Sequence, residues 1–278
     1  MTLLRDLTLG QYLPGASPVH RLDPRVKLVA CSLALAAAFA APSPWVCAAA
    51  WPLLGLGVAV SRVPLAYFLR GLRPFVWLLV FTIALHGLTS RGESVWPFPL
   101  GSVDVTWQGL GHGAGVSAQL ATAVGFSSLL TLTTNPVALV WALERLASPL
   151  QRLGLPVGEF CLTILLAIRF LPILREEAER LTIALRARGL DPGTGGLRER
   201  VRNLTPLVVP LFQQVFGRAE TLARAMEVRG YRPGAPRTSW RVRRVGRADG
   251  LALALGALTL AAAVGLGWAT PAGLWMTP

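Results

Sequence analysis

Two short arginine-containing segments have the residue types best suited to binding chemistry in this sequence. Residues 178–193 read AERLTIALRARGLDPG and residues 219–234 read AETLARAMEVRGYRPG, so eight of sixteen positions are identical at an offset of 41. Both end in Arg-Gly-x-x-Pro-Gly, in which glycine supplies the left-handed residue that ends a helix and proline prevents its continuation. They are either two ordinary helix ends or a pair of arginines that docks into a partner with two equivalent sockets, such as a dimer. We favour the second interpretation because the upstream Ala-Glu is shared as well.

Sequence motifs for catalysis and nucleotide binding are absent. A P-loop needs Gly-Lys before Ser or Thr, because the lysine must reach the phosphates, and the only lysine, Lys27, follows Val26. The three histidines, His20, His86 and His112, form no HExxH or i,i+4 pair, and there is no GxSxG elbow. We therefore expect no catalytic, cofactor-binding or metal site on this chain.

The composition of the 278-residue chain is that of an integral membrane protein. Hydrophobic residues make up 53% of the sequence and charged residues 15%, whereas roughly 25% of an average soluble domain is charged. A soluble fold of this length needs more charge to cover its surface. The same numbers exclude a disordered chain, a collagen and a disulfide-rich secreted scaffold. The cysteines lie in apolar stretches and are predicted to be small buried hydrophobic residues: Cys31, Cys47 and Cys161.

Five segments are long and apolar enough to cross a bilayer, which takes about 17 to 20 helical residues. They are predicted at residues 26–42, 45–61, 74–90, 113–134 and 249–268. The first begins after Asp23-Pro24, where aspartate is a helix cap and proline suits the first helical position. Basic residues cluster in the N-terminal arm and after the second span, so the positive-inside rule predicts a cytoplasmic N-terminus. No N-terminal segment resembles a cleavable signal peptide.

The segment at residues 156–174 is apolar enough to be a sixth span, but we predict that it does not cross the membrane. Residues 169–247 carry 17 arginines against seven acidic residues. A sixth span would place this basic block outside the cell, against the positive-inside rule. The segment is instead expected to begin a long amphipathic helix at the inner membrane face.

Three long amphipathic helices are predicted in this cytoplasmic or interfacial region. They run from about residue 135, with Asn135 as cap, to 153, from 156 to 188 and from 203 to 229. The second and third have apolar stripes at helical spacing, formed by Leu171, Leu174, Ala178, Leu181 and Leu185, and by Leu204, Leu207, Leu211, Val215, Leu222 and Met226.

The predicted fold class is therefore an all-α membrane protein with about five transmembrane helices and three long cytoplasmic or interfacial helices. The predicted domains are residues 1–134 with four spans, 135–248 with the three amphipathic helices, and 249–278 with the last span and a tail.

Motifs spread over most of the chain resemble the transmembrane T component of energy-coupling factor (ECF) transporters. The N-terminal arm carries Gly10-Gln11-Tyr12, Pro14-Gly15, Ser17-Pro18 and His20-Arg21-Leu22-Asp23-Pro24-Arg25-x-Lys27. The second long helix carries Arg169-Phe170-x-Pro172, Glu176-Glu177-Ala178 and Ala187-Arg188-Gly189. The third carries Pro210-Leu211-Phe212, Arg218-Ala219-Glu220, Ala225-Met226-Glu227 and Arg229-Gly230-Tyr231. Their order and spacing together make the resemblance specific.

The resemblance implies that the chain is the scaffold and coupling subunit of an ECF-type ABC importer and is not an enzyme. Its partners would be two cytoplasmic ABC-type ATPases, which hold ATP and magnesium, and a small membrane-embedded S component that captures a vitamin or a metal ion. The ATPase-coupling residues would be Ala187, Arg188 and Gly189, and Val228, Arg229 and Gly230, with valine in place of the family's alanine in the second triplet. The implied location is a bacterial or archaeal cell membrane, with lipid as a further partner and no nucleic acid. The transported substrate, and whether the ATPases are identical, stay open.

The alternative function is a basic membrane scaffold that binds anionic lipid or nucleic acid. The arginine excess of residues 169–247 supports it, because anionic headgroups contribute about 1 kcal/mol for each surface arginine. This alternative predicts that no arginine position is privileged. A membrane-bound enzyme is the third possibility, and it lacks any candidate constellation. Co-purification of two ATPases and a small hydrophobic protein would favour the coupling subunit.

Overall fold

The computed structural model describes residues 12–40, 50–90, 105–190, 196–235 and 246–269, which form helices and short connections without a β-strand. We number the α-helices in chain order. They are α1 (Pro18–Arg21), α2 (Pro24–Ala40), α3 (Ala50–Ser61), α4 (Leu65–Thr89), α5 (Trp107–Thr133), α6 (Pro136–Leu146), α7 (Val157–Ala187), α8 (Leu197–Val228) and α9 (Arg247–Ala269).

The chain divides into two compact units. The first unit contains, of the described residues, 12–142 and 246–269, and so includes α1 to α5, most of α6, and α9. The second unit contains residues 143–190 and 196–235, with a short 3₁₀ helix (Ser148–Leu153), α7 and α8. The predicted domain boundaries at residues 134 and 248 stay predictions.

In the first unit, α5 packs against α2, α3 and α4, and α9 packs against α2. Glycines on α5 permit its close approach to α4. A Cβ atom on Gly109 would overlap the carbonyl oxygen of His86, and one on Gly113 would lie 2.8 Å from the Cα of Ile83. Small residues are typical of helix contacts within membranes, where helices associate through van der Waals packing.

Two predicted helix starts are confirmed. Pro24 is the first residue of α2, and the Oδ1 atom of Asp23 accepts a 2.9 Å hydrogen bond from the Arg25 N–H. At α6, Asn135 Oδ1 accepts a 2.9 Å hydrogen bond from the Val137 N–H. Both side chains satisfy backbone donors that a helix leaves unpaired at its N-terminus.

Two predicted helix boundaries are wrong. The helix expected to reach residue 153 ends at Leu146 and is followed by the 3₁₀ helix, because Pro149 has no N–H to continue the α-helical pattern. The helix expected to begin at residue 203 begins at Leu197. There the Gly196 N–H donates a 3.2 Å hydrogen bond to Glu199 Oε2, which caps an earlier start than the apolar stripe indicates.

Four of the described helices are long and apolar enough to cross a membrane: α4, α5, α7 and the first part of α9. Three of them correspond to the predicted spans at residues 74–90, 113–134 and 249–268. The other two predicted spans correspond to α2, with 17 residues, and to α3, with 12; residues 41–49 lie outside the described part of the chain. The predicted fold class, an all-α membrane protein, is confirmed.

The helix α7 includes the segment that we predicted to lie at the inner membrane face. It is continuous over 31 residues, through Pro172, and is therefore about 45 Å long. Its apolar part is the most hydrophobic of the four candidate spans. Length and composition thus permit a span, and the interfacial position of residues 156–174 stays a prediction that rests on charge.

Candidate functional site

The C-terminal end of α7 is closed by a Schellman motif. The Leu190 N–H donates to the carbonyl oxygen of Leu185 (3.0 Å), and the Gly189 N–H donates to that of Arg186 (2.9 Å). Gly189 has a φ of +78°, a left-handed value that costs a residue with a Cβ about 1–2 kcal/mol. Leu185 is buried, and Leu190 occupies the position after the glycine at which this motif often carries an apolar residue.

The C-terminal end of α8 repeats this geometry. The Tyr231 N–H donates to the carbonyl oxygen of Met226, and the Gly230 N–H donates to that of Glu227, both at 2.9 Å. Gly230 has the same φ as Gly189, +78°. Two segments 41 positions apart therefore have the same local backbone conformation, and the predicted role of glycine in ending both helices is confirmed.

An exposed arginine precedes the glycine in each motif, and we call residues 187–189 the first tip and residues 228–230 the second tip. Arg188 has φ −91° and ψ 9°, and Arg229 has φ −81° and ψ 8°. Ala187 and Val228 are exposed as well, and Val228 reaches 89%. A guanidinium offers five N–H donors in a rigid fork that fits carboxylates. Each tip can therefore bind an acidic groove with an apolar edge.

Glu159, near the beginning of α7, holds the chain that follows the second tip. Its Oε1 atom accepts a 2.7 Å hydrogen bond from the N–H of Gly234, whose φ is +74°. The first tip ends the same helix roughly 40 Å from Glu159, and the second tip is four residues from Gly234, so the two tips lie towards opposite ends of α7. The six predicted residues thus form two distant sites. The corresponding glycine after the first tip, Gly193, lies outside the described residues.

Residues of α7 and α8 together line an open groove of about 660 Å³. Phe170 and Glu177 line it from α7, and Gln214, Arg218 and Leu222 line it from α8. The groove combines one acidic and one basic side chain with apolar neighbours. Over the described part of the chain, no group of three His, Cys, Asp or Glu side chains is placed to hold a metal ion.

An exposed apolar surface lies on α8, and we call it the α8 apolar face. It consists of Val208, Val209, Phe212 and Phe216, which are between 40% and 68% exposed. The rings of Phe212 and Phe216 stack with their centroids 6.2 Å apart. The apolar stripe predicted for this helix is a different surface from the α8 apolar face, because all of its residues except Leu204 are half-buried. An exposed cluster of this kind is typical of a surface that binds another protein or lipid.

Comparison with known proteins identifies relatives over most of the chain. The sequence matches the cobalt transport protein family (CbiQ) over residues 15–240, which include both tips. A protein of Heliobacterium modesticaldum is 46% identical over 86% of this chain and 89% of its own length. One of Thermanaerovibrio acidaminovorans is 42% identical over 94% and 96%, and one of Bacillus subtilis is 40% identical over 86% and 90%. Each is named energy-coupling factor transporter transmembrane protein EcfT.

Proposed function

Because the chain belongs to the energy-coupling factor transporter transmembrane protein family, we propose that it couples two cytoplasmic ATPases to a membrane-embedded S component in an importer. The match to this family confirms the resemblance that the sequence motifs indicated. The chain is a multi-pass membrane protein and a non-catalytic subunit of a transporter. The observation that carries the proposal is the pair of tips with equal backbone geometry and exposed arginines.

The tips suit a partner that has two similar grooves, as a pair of ATPases has. Tips that lie roughly 40 Å apart need two separate grooves, and a pair of similar ATPases would supply one groove on each subunit. Each arginine would form several charge-assisted hydrogen bonds in its groove. Loss of a buried interaction of this kind costs about 2–5 kcal/mol of association free energy.

ATP and magnesium are expected on the ATPases and not on this chain, whose single lysine lies in no P-loop sequence. Movement of the two ATPases during hydrolysis would displace the tips, and α7 and α8 would transmit that displacement. We expect the S component to bind the α8 apolar face and to release a vitamin or a metal ion on the inner side. The S component, and not this chain, would select the substrate.

The proposal requires that the N-terminus and residues 135–248 are cytoplasmic. The charge distribution supports this orientation, because residues 169–247 carry 17 arginines against seven acidic residues and basic loops stay on the inner side. The exposed arginines of both tips would then face the compartment that holds ATP.

The test is purification of the tagged chain from its own host in mild detergent, with identification of the proteins that accompany it. We expect two ATPase chains and one small hydrophobic protein. Arg188→Glu and Arg229→Glu should each reduce the recovery of ATPases, and the double variant should abolish it. The matched controls are Arg180→Glu on α7 and Arg198→Glu on α8, which are exposed arginines away from the tips.

A further variant separates the two kinds of partner. Phe216→Ser should reduce recovery of the small hydrophobic protein and leave the ATPases bound, because Phe216 lies on the α8 apolar face and outside the tips. If the control arginines prove as important as Arg188 and Arg229, the tips are not privileged. The basic scaffold that binds anionic lipid is then the better account.

A further inference from the structure

Three buried ionisable side chains lie close together in the first unit, at the beginnings of α2 and α9. Asp23 is 2% exposed, Lys27 8% and Asp249 7%. Removing an ion from water costs several kcal/mol, so buried charges need hydrogen bonds or partners. With Arg25 and Trp141, these three residues form what we call the buried cluster.

Lys27 joins the beginning of α2 to the end of α5. Its Nζ atom donates to the carbonyl oxygens of Thr133 (3.0 Å) and His20 (3.4 Å) and to Thr134 Oγ1 (3.4 Å). The last carbonyls of a helix have no intrahelical donor and carry the negative end of its dipole. The ammonium group therefore satisfies the end of α5 and fixes it beside α2.

The two other contacts of the cluster join α2 to α6 and to α9. The guanidinium of Arg25 lies over the Trp141 ring, 4.2 Å from its centroid. The Asp23 N–H donates to Asp249 Oδ1 (2.8 Å), and Asp249 Oδ2 accepts a 2.8 Å hydrogen bond from the Gly246 N–H. Residues 23–27 thus hold three different helices.

The positions of these contacts along the chain show what the cluster holds. The chain leaves the first unit after residue 142, and its described residues belong to that unit again from residue 246. Trp141 is next to the point of departure, and Asp249 is in the first turn of α9, soon after the return. The described residues next to both connections therefore contact the same five-residue segment, residues 23–27.

We propose that the buried cluster is the fixed anchor against which the arginine-rich second unit moves, and that Lys27, Arg25 and Trp141 are positioning residues for coupling. This inference rests on the proposed function. An apolar cluster of similar volume would often stabilise the fold equally well or better, whereas buried polar contacts specify one geometry. Without the anchor, movement driven by the ATPases would shift the two connections between the units and would not be transmitted to the first unit.

The test uses the complex purified with the tagged chain, in which the native cysteines are replaced by alanine. Spin labels on Arg62→Cys in the first unit and Gln213→Cys on α8 report the distance between the units by pulsed electron resonance. The distance distribution is recorded without nucleotide and after trapping with ATP and vanadate. ATP hydrolysis and the amount of bound ATPase are measured in the same samples.

Lys27→Met removes the ammonium group and keeps the length of the side chain, and Trp141→Leu removes the ring that Arg25 covers. Either change should leave bound ATPase and hydrolysis near the parent values, while the nucleotide-dependent shift falls by roughly half or more because the distribution broadens. Arg73→Met, at an exposed arginine of α4, should leave the shift unchanged. Trp141→Leu carries the test alone if Lys27→Met fails to insert.

An unchanged shift in these variants, with ATPases bound, overturns the anchor and leaves the coupling function standing. An equal loss of the nucleotide-dependent distance shift in Arg73→Met also overturns the anchor, because removal of any positive charge would then produce the same effect. If the parent chain purifies without ATPases, the proposed function itself fails, and that result is distinct from both.

Discussion

Gly230→Ala is the substitution that best isolates the shape of the second tip from its charge. Gly230 has a φ of +78°, and an ideal Cβ atom there would have no atom within 4 Å. The added methyl group therefore meets no steric obstacle, and its cost is the left-handed backbone alone, about 1–2 kcal/mol. The strain weakens binding if the free variant relieves it by opening the Schellman motif, because the docked state that we propose requires the closed motif.

The expected loss of ATPase affinity follows from this strain. At 1.4 kcal/mol for each tenfold change, a penalty of about 1–2 kcal/mol corresponds to roughly 5- to 30-fold weaker binding. Gly230→Asn should lose less, because asparagine adopts the left-handed conformation more readily than alanine. The assay is a titration of the chain in lipid nanodiscs with the purified ATPase pair, followed by interferometry.

Gly217→Ala is the matched control on the same helix. Gly217 lies inside α8, and its added Cβ would also have no atom within 4 Å. In a helix interior the same change stabilises by about 0.5–1 kcal/mol, which is the opposite sign. Unchanged affinity in Gly230→Ala, or an equal loss in Gly217→Ala, would refute a docking mode that depends on the closed helix end.

Two other substitutions test the contact at Glu159 and the orientation of the chain. Glu159→Gln should weaken ATPase binding about two- to fivefold in the same titration, because a neutral acceptor binds the Gly234 N–H less strongly than a carboxylate does. The control is Glu199→Gln at the start of α8, which should leave ATPase binding unchanged. Ser148→Cys, at an exposed position, should react with a membrane-impermeant maleimide only after the cells are permeabilised, and labelling of intact cells would contradict the cytoplasmic position of the second unit.

The local features of the tips could be predicted from the sequence because short segments determine them. Glycine followed by proline specifies a helix end whatever surrounds it, and Gly189 and Gly230 both have the expected left-handed backbone. The caps at Asp23 and Asn135 were predictable for the same reason.

Contacts between distant residues could not be predicted in this way. The hydrogen bond between Glu159 and Gly234 joins positions 75 apart, and the one between Asp23 and Asp249 joins positions 226 apart. Neither produces a periodic pattern. The α8 apolar face was missed for another reason: the hydrophobic residues of α8 exceed one stripe, and periodicity alone does not tell which of two adjacent faces is covered.

The length of α7 has a mechanical consequence for the first tip. A stiff rod of about 45 Å amplifies small rotations, so that a tilt of about 5° at one end moves the other by about 4 Å. That displacement is comparable to the reach of a side chain. The rod has one compliant point, since Pro172 has no N–H to donate to the Ile168 carbonyl. Bending at Pro172 would absorb part of the displacement of the first tip. The stiffness of α7, more than the strength of binding at the first tip, would therefore set how much of that displacement the helix transmits.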